Sequence, residues 1–143
     1  NKFHLGNLES KRDWGDAQDF VKAVWLMMQQ EKPIDYVVAS GETHSIREFV
    51  EEALTSASIP FDAVENTNFF TGDQPALAYT LKNEPETPLV YVNPKYFRPA
   101  EVQLLLGDPT RIKKELGWTP TVSFEKLVDN MTKHDMLTLS TEL

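Results

Sequence analysis

One stretch limits this chain more than any other: the helix-forming run from Asp16 to about Glu31. Its apolar residues Ala17, Phe20, Val21, Ala23, Val24, Trp25, Leu26, Met27 and Met28 fall on almost every face of a 3.6-residue period. A helix that is apolar all round must be covered on more than one side. In a chain of 143 residues there is little protein to do that, so the helix is expected to pack against something outside this sequence. Asp16 supplies its N-cap, with Asp19 three positions on as an imperfect capping box, and Pro33 stops it.

Around that helix the pattern alternates between strand and helix signals. Phe3 and Leu5 alternate as in a strand, and Lys11 to Gly15 reads as a polar turn. Tyr36-Val37-Val38-Ala39 is short and β-branched, the mark of a buried strand. Ser45-Ile46-Arg47-Glu48 is a full capping box. The helix it opens is amphipathic, with Ile46, Phe49, Val50, Ala53, Leu54 and Ala57 on one face, and Pro60 closes the unit. From about Glu65 to Pro88 periodicity is lost, and the expectation is a long loop or insertion with a short strand near Leu77 to Leu81. Leu89 to Val92 reads as another short strand. Asp108-Pro109 starts a helix that Gly117 closes, and Ser123 opens a last helix with Phe124, Leu127, Val128 and Met131 inward. The fold class expected is α/β, a small sheet with helices.

Composition removes several classes of function. The formal net charge is −8, and the longest basic cluster, Arg111, Lys113 and Lys114, is broken by Ile112 and followed by Glu115. A nucleic-acid binder needs a basic stripe to neutralise phosphates, so no nucleic-acid partner is expected. There are no cysteines, which excludes a disulfide framework and thiolate-held zinc and fits a cytoplasmic protein. No apolar run approaches the roughly 18–20 residues that span a bilayer. The chain opens on Asn1, not Met, and is expected to be a piece of a longer protein.

Familiar catalytic constellations do not occur. His4, His44 and His134 are far apart, without carboxylates at metal-ligand spacing, so no metal is expected. His44 beside Ser45 is most economically a turn residue before an N-cap. The six glycines are scattered singly, so no glycine-rich loop can cradle a dinucleotide. Two arginines stand out. Arg12 lies in the turn before the first helix. Arg98 lies in Tyr96-Phe97-Arg98-Pro99-Ala100-Glu101, where Pro99 favours an extended backbone at Arg98. Arginine in stiff, partly apolar surroundings suits bidentate phosphate recognition, and Glu101 can accept from sugar hydroxyls. An ordinary alternative stands beside this: Arg12 paired with Asp13 or Asp16, and Arg98 with Glu101. Spacing alone leaves both open.

The stretch Gly6-Asn7-Leu8-Glu9-Ser10-Lys11-Arg12-Asp13-Trp14-Gly15 resembles the G-N-L-x-x-x-R-D-W-G signature of the GDP-mannose 4,6-dehydratase family. The likeness continues through Trp25 to Pro33, Tyr36 to Gly41, Tyr96-Phe97-Arg98-Pro99-Ala100-Glu101-Val102, Leu105 to Pro109 and Leu116 to Pro120. The R-D-W turn and the D-P-x-x-x-x-x-x-L-G-W helix are shared among extended short-chain dehydrogenases/reductases acting on nucleotide sugars; F-R-P-A-E-V is more specific. About residues 60–88 depart from the pattern. The resemblance implies that residues 1–143 are a carboxy-terminal GDP-sugar-binding domain, lacking the amino-terminal Rossmann half that binds NADP and carries the Thr/Glu pair and Tyr-x-x-x-Lys of catalysis. It implies a lyase that dehydrates GDP-mannose to GDP-4-keto-6-deoxymannose, an NADP cofactor held elsewhere, the chain's own Rossmann domain as partner, and a homo-oligomer when whole. Arg12 and Arg98 are then implied to meet the GDP phosphates and Glu101 the ribose, with no catalytic residue in this stretch. Two alternatives remain: a sibling nucleotide-sugar dehydratase, epimerase or GDP-4-keto-6-deoxymannose reductase, and a non-catalytic nucleotide-sugar-binding or interaction module.

Overall fold

A computed structural model describes residues 3–71, 74–96, 98 and 102–142, with the backbone path alone for 65–71, 74–77, 94 and 142. In chain order the elements are β1 (Phe3–Leu5), β2 (Lys11–Arg12), α1 (Ala17–Met28), β3 (His44–Ser45), α2 (Ile46–Ser56), β4 (Phe61–Thr71), β5 (Gln74–Leu81), β6 (Glu84–Val92), a 3-10 turn (Pro94–Tyr96), β7 (Leu104–Leu105), α3 (Thr110–Leu116) and α4 (Phe124–Glu142). The chain forms two compact units, Asn1–Ser10 with Ser45–Gln103, and Lys11–His44 with Leu104–Leu143. The fold class is α/β, as the alternation of signals indicated.

The first unit is built on a four-stranded sheet of order β1-β6-β5-β4. β1 runs parallel to β6, with Phe3 opposite Val90 and Leu5 opposite Val92. β5 is antiparallel to both of its neighbours. Leu8, Val50, Tyr79, Val90 and Val92 form the buried core, with Leu5, Ile46, Leu54, Phe61 and Leu89 against it. Ser45 caps α2 as its sequence indicates. Its hydroxyl accepts from the Glu48 amide at 3.1 Å, while the Glu48 carboxylate accepts from the Ser45 amide at 2.5 Å. In the core, the Tyr79 hydroxyl donates to Glu51 Oε1 at 2.7 Å; burial, and then that bond, push the phenol's pKa up.

The stretch expected to be a long loop with a short strand near Leu77 to Leu81, about 65–88, has that strand within β5. The described residues around it, in β4 and β6, are strand as well, each antiparallel to β5. Pairing with a neighbour satisfies backbone groups whatever the periodicity of the side chains. The turn between β5 and β6 depends on Asn83, which adopts a left-handed φ of 63° and donates its amide to Asp62 Oδ2 at 3.1 Å. Asparagine tolerates that conformation better than most residues.

In the second unit β2 runs parallel to β7, with Lys11 opposite Leu104 and Arg12 opposite Leu105. Ala23, Ile112 and Trp118 form its core, with Phe20, Leu26, Met27, Tyr36, Val38 and Leu116 packed around them. Asp16 caps α1 by accepting from the amides of Gln18 and Asp19. Asp19 does not complete a capping box. Its carboxylate, 1% exposed, accepts from the Thr121 amide at 2.6 Å, the Thr121 hydroxyl at 2.8 Å and the Val122 amide at 3.1 Å. One side of α1 is in water: Val21 is 67%, Trp25 61% and Met28 77% exposed.

Two expectations fail here. Residues 36–39 form no strand, because among the described residues no neighbouring strand offers them hydrogen bonds, and a strand exists only with a partner. Tyr36 is held by its side chain instead, donating to Glu115 Oε2 at 2.8 Å beneath the Arg111 guanidinium. In α4, Phe124, Leu127 and Val128 are buried, but Met131 is half exposed; the inward face ends one turn earlier than the apolar spacing indicates.

Candidate functional site

Arg12 sits in β2, paired by backbone register with Leu105. Its Nη1 donates to the Lys11 carbonyl at 2.8 Å. The side chain lines an open groove of about 330 Å³, together with Asp13, Phe20, residues 37–39 and Leu105 to Gly107. Among the residues that line it, Arg12 and Asp13 carry charge and the remainder are apolar or glycine.

The neighbouring aspartates also accept from backbone amides. Asp13 Oδ1 accepts from the Ser40 amide at 2.7 Å, and its Oδ2 accepts from Gly41 at 3.0 Å and Gly107 at 3.4 Å. Asp16 caps α1. Sequence reasoning considered Asp13 only as a partner for Arg12 and missed this junction of three chain segments. Its one signal was a turn aspartate matched by two distant glycines, Gly41 and Gly107. Gly107 is needed for space, since a Cβ there would lie 2.2 Å from that of Ala39. Gly41 is needed for its left-handed φ of 84°.

Trp14, the third residue of the R-D-W turn, donates its indole N–H to the His44 carbonyl at 3.2 Å. The His44 ring stacks on Phe124 at 3.9 Å between centroids. These residues, with Ser40, Glu42 and residues 120–123, bound a second cavity of about 290 Å³. His44 is thus engaged structurally, ahead of the α2 N-cap. Trp118, of the L-G-W string, anchors α1 by donating to the Asp19 carbonyl at 2.9 Å.

Arg98 belongs to the first unit and is exposed, just after the 3-10 turn. Glu101 lies outside the described residues. Arg12 and Arg98 therefore fall in different units, and each is described in its own. Among the described residues, Gly107 packs against Ala39, Gly41 turns the chain, and Gly117 ends α3. Among the described residues no group of three His, Asp or Glu is placed to hold a metal ion, and no helix is long and apolar enough to cross a membrane.

The family model for GDP-mannose 4,6 dehydratase matches residues 1–131. The chain belongs to that family. GDP-mannose 4,6 dehydratase of Drosophila melanogaster is 48% identical over 134 residues, covering 94% of this chain and 32% of the relative. That of Homo sapiens is 43% identical over 136 residues, covering 94% and 34%. The chain thus spans about a third of the length of the curated relatives it matches. Among solved structures, RMD from Pseudomonas aeruginosa complexed with NADPH superposes with a TM-score of 0.64 at 19% identity, covering 92% of this chain and 35% of that one. That likeness is one of fold, to about a third of the neighbour's chain.

Proposed function

We propose that this chain is the carboxy-terminal, GDP-sugar-binding portion of a GDP-mannose 4,6-dehydratase, a hydro-lyase that converts GDP-mannose to GDP-4-keto-6-deoxymannose. The observation that carries the reading is the family match over residues 1–131, joined to relatives of that name at up to 48% identity. Arg12 and Arg98 bind the diphosphate, and Glu101 the ribose. Arg12's place in the wall of an open groove supports its part, because a guanidinium can donate in pairs to phosphate oxygens.

The chemistry that NADP would supply is the taking up and giving back of a hydride. The glycines of this chain do not fit that cofactor, so it is held by a part of the protein outside these 143 residues, a Rossmann domain. That domain is also the partner we assign to the uncovered side of α1. The whole protein is proposed to be a cytoplasmic homo-oligomer, and the 143 residues alone to be inactive.

The decisive experiment uses the intact protein with NADP and offers GDP-mannose, UDP-glucose and dTDP-glucose in parallel. Loss of water from GDP-mannose alone is the expected result. Turnover of a uridine or thymidine sugar in preference would replace the reading with a sibling activity.

A further inference from the structure

β2 is the short central strand of its sheet, with Arg12 opposite Leu105 of β7, and the residue that follows Arg12 ties this corner further. Asp13 reaches two other stretches of chain: Ser40 and Gly41 at 2.7 and 3.0 Å, and Gly107 at 3.4 Å. All three donors are backbone N–H groups, and bonds from N–H to a carboxylate are stronger than those between neutral groups. The stretches they belong to are already in contact, since Gly107 approaches Ala39 too closely for any side chain. The same stretches, residues 37–39 and Leu105 to Gly107, wall the groove that Arg12 lines.

We propose that Asp13 is a positioning residue for diphosphate binding: by gripping the amides of Ser40, Gly41 and Gly107, it sets the groove walls and the backbone from which Arg12 reaches the ligand. This rests on the reading that Arg12 contacts the diphosphate. Asp13 itself does not touch the ligand. Its charge acts against binding, because a carboxylate beside a diphosphate repels it. That opposition separates two kinds of effect. If Asp13 mattered only through its field, neutralising it would tighten GDP binding. As a positioning residue, its neutralisation loosens binding. Asparagine is the sharp substitution: its carbonyl can keep the Ser40 amide, but its NH2 then faces the N–H groups of Gly41 and Gly107, donor against donor.

The test measures GDP dissociation constants by calorimetry in the intact protein for wild type, Arg12→Ala, Asp13→Asn and the double variant, with ligand-free melting temperatures alongside. Asp13→Asn is expected to weaken GDP about tenfold, the scale of one charge-assisted contact. In the Arg12→Ala background it is expected to change GDP affinity by less than about twofold, since coupled residues do not add. The drop in melting temperature should be the same in both backgrounds. Unchanged or tighter GDP binding by Asp13→Asn overturns the proposal and leaves Arg12's role standing. An equal loss in both backgrounds also overturns it, because Asp13 would then not act through Arg12. If Arg12→Ala binds GDP normally, the underlying reading of Arg12 falls and this inference falls with it. Should Asp13→Asn not fold, Asp13→Ser, which keeps one short acceptor and no charge, takes its place under the same criteria.

Discussion

Arg98 is exposed at the end of a 3-10 turn, and its two readings part at a single substitution. A surface ion pair would be worth about 0–1 kcal/mol, whereas a charge-assisted contact to a ligand is worth about 1.5–3 kcal/mol. In the intact protein, Arg98→Ala should weaken GDP and GDP-mannose equally, by about 10- to 150-fold, without moving the ligand-free melting temperature. Titration of both ligands checks it; unchanged affinity with a lowered melting temperature would make Arg98 structural. Asp19 makes a different kind of prediction. Burial pushes its carboxyl up, but the backbone and side-chain hydrogen bonds of Thr121, the Val122 amide and the Lys22 charge outweigh burial and hold its pKa below the ordinary value. A carboxyl depressed in the folded state contributes stability that is complete above its unfolded pKa of about 4. That contribution is lost as pH falls through the folded value. Urea unfolding from about pH 7 down to about pH 2 should therefore show wild type losing more stability than Asp19→Asn over the acid interval. Parallel curves would mean that the charge at Asp19 contributes nothing to folding.

Helix ends were the most legible elements, because their signals are local. The Ser45/Glu48 box and the Asp16 cap stand where the residues put them, and α3 closes on Gly117 at a φ of 67°. The ends of α2 and α3 differ in one informative way. Just past α2, Ser58 adopts a φ of 56°, a conformation that costs a non-glycine residue about 1–2 kcal/mol. Ser58→Gly should accordingly stabilise the fold by about 1 kcal/mol, and Gly117→Ala, with nothing within 4 Å of the added methyl, should destabilise it by a similar amount. Chemical denaturation of both variants tests the pair; equal and opposite shifts are expected, and a destabilising Ser58→Gly would refute the account. Strands were read less well, since each is defined by a neighbour far off in sequence. Residues 36–39 have strand-forming side chains and no partner, while β4 to β6 lack regular alternation and pair nonetheless. Arg12 and Arg98 stood out through their local setting and then through a family resemblance. The Asp13 junction did not, because it joins positions 27 and 94 apart along the chain.

For the molecule as a whole, the uncovered side of α1 is the dominant fact. Each ~100 Å² of apolar surface left in water forgoes about 2.5 kcal/mol, a sizeable share of a typical domain's net stability of 5–15 kcal/mol. The 143 residues in isolation should bind a hydrophobic dye and self-associate, and Trp25→Lys, on the exposed side, should reduce both. Sedimentation and dye fluorescence measure this; a monodisperse, dye-silent wild type would remove the case for a covering partner. The same preparation should not bind NADP, as nicotinamide fluorescence would report.

Both units are discontinuous, because the backbone changes unit at 10/11, at 44/45 and at 103/104. During synthesis the order of emergence then matters. In the first unit β4, β5 and β6 can pair from residues near one another in sequence, but β1 must wait for β6. In the second, α1 leaves the ribosome long before Trp118, whose bond to Asp19 spans 99 positions. Until the last third of the chain appears, the Asp19 carboxylate lacks the Thr121 and Val122 donors, and the buried side of α1 has Tyr36 and Val38 but neither Ile112 nor Trp118 against it. A stop codon at residue 104 would make that waiting state permanent, leaving residues 11–44 without Ile112 and Trp118 of their core and without the Thr121 and Val122 donors to Asp19.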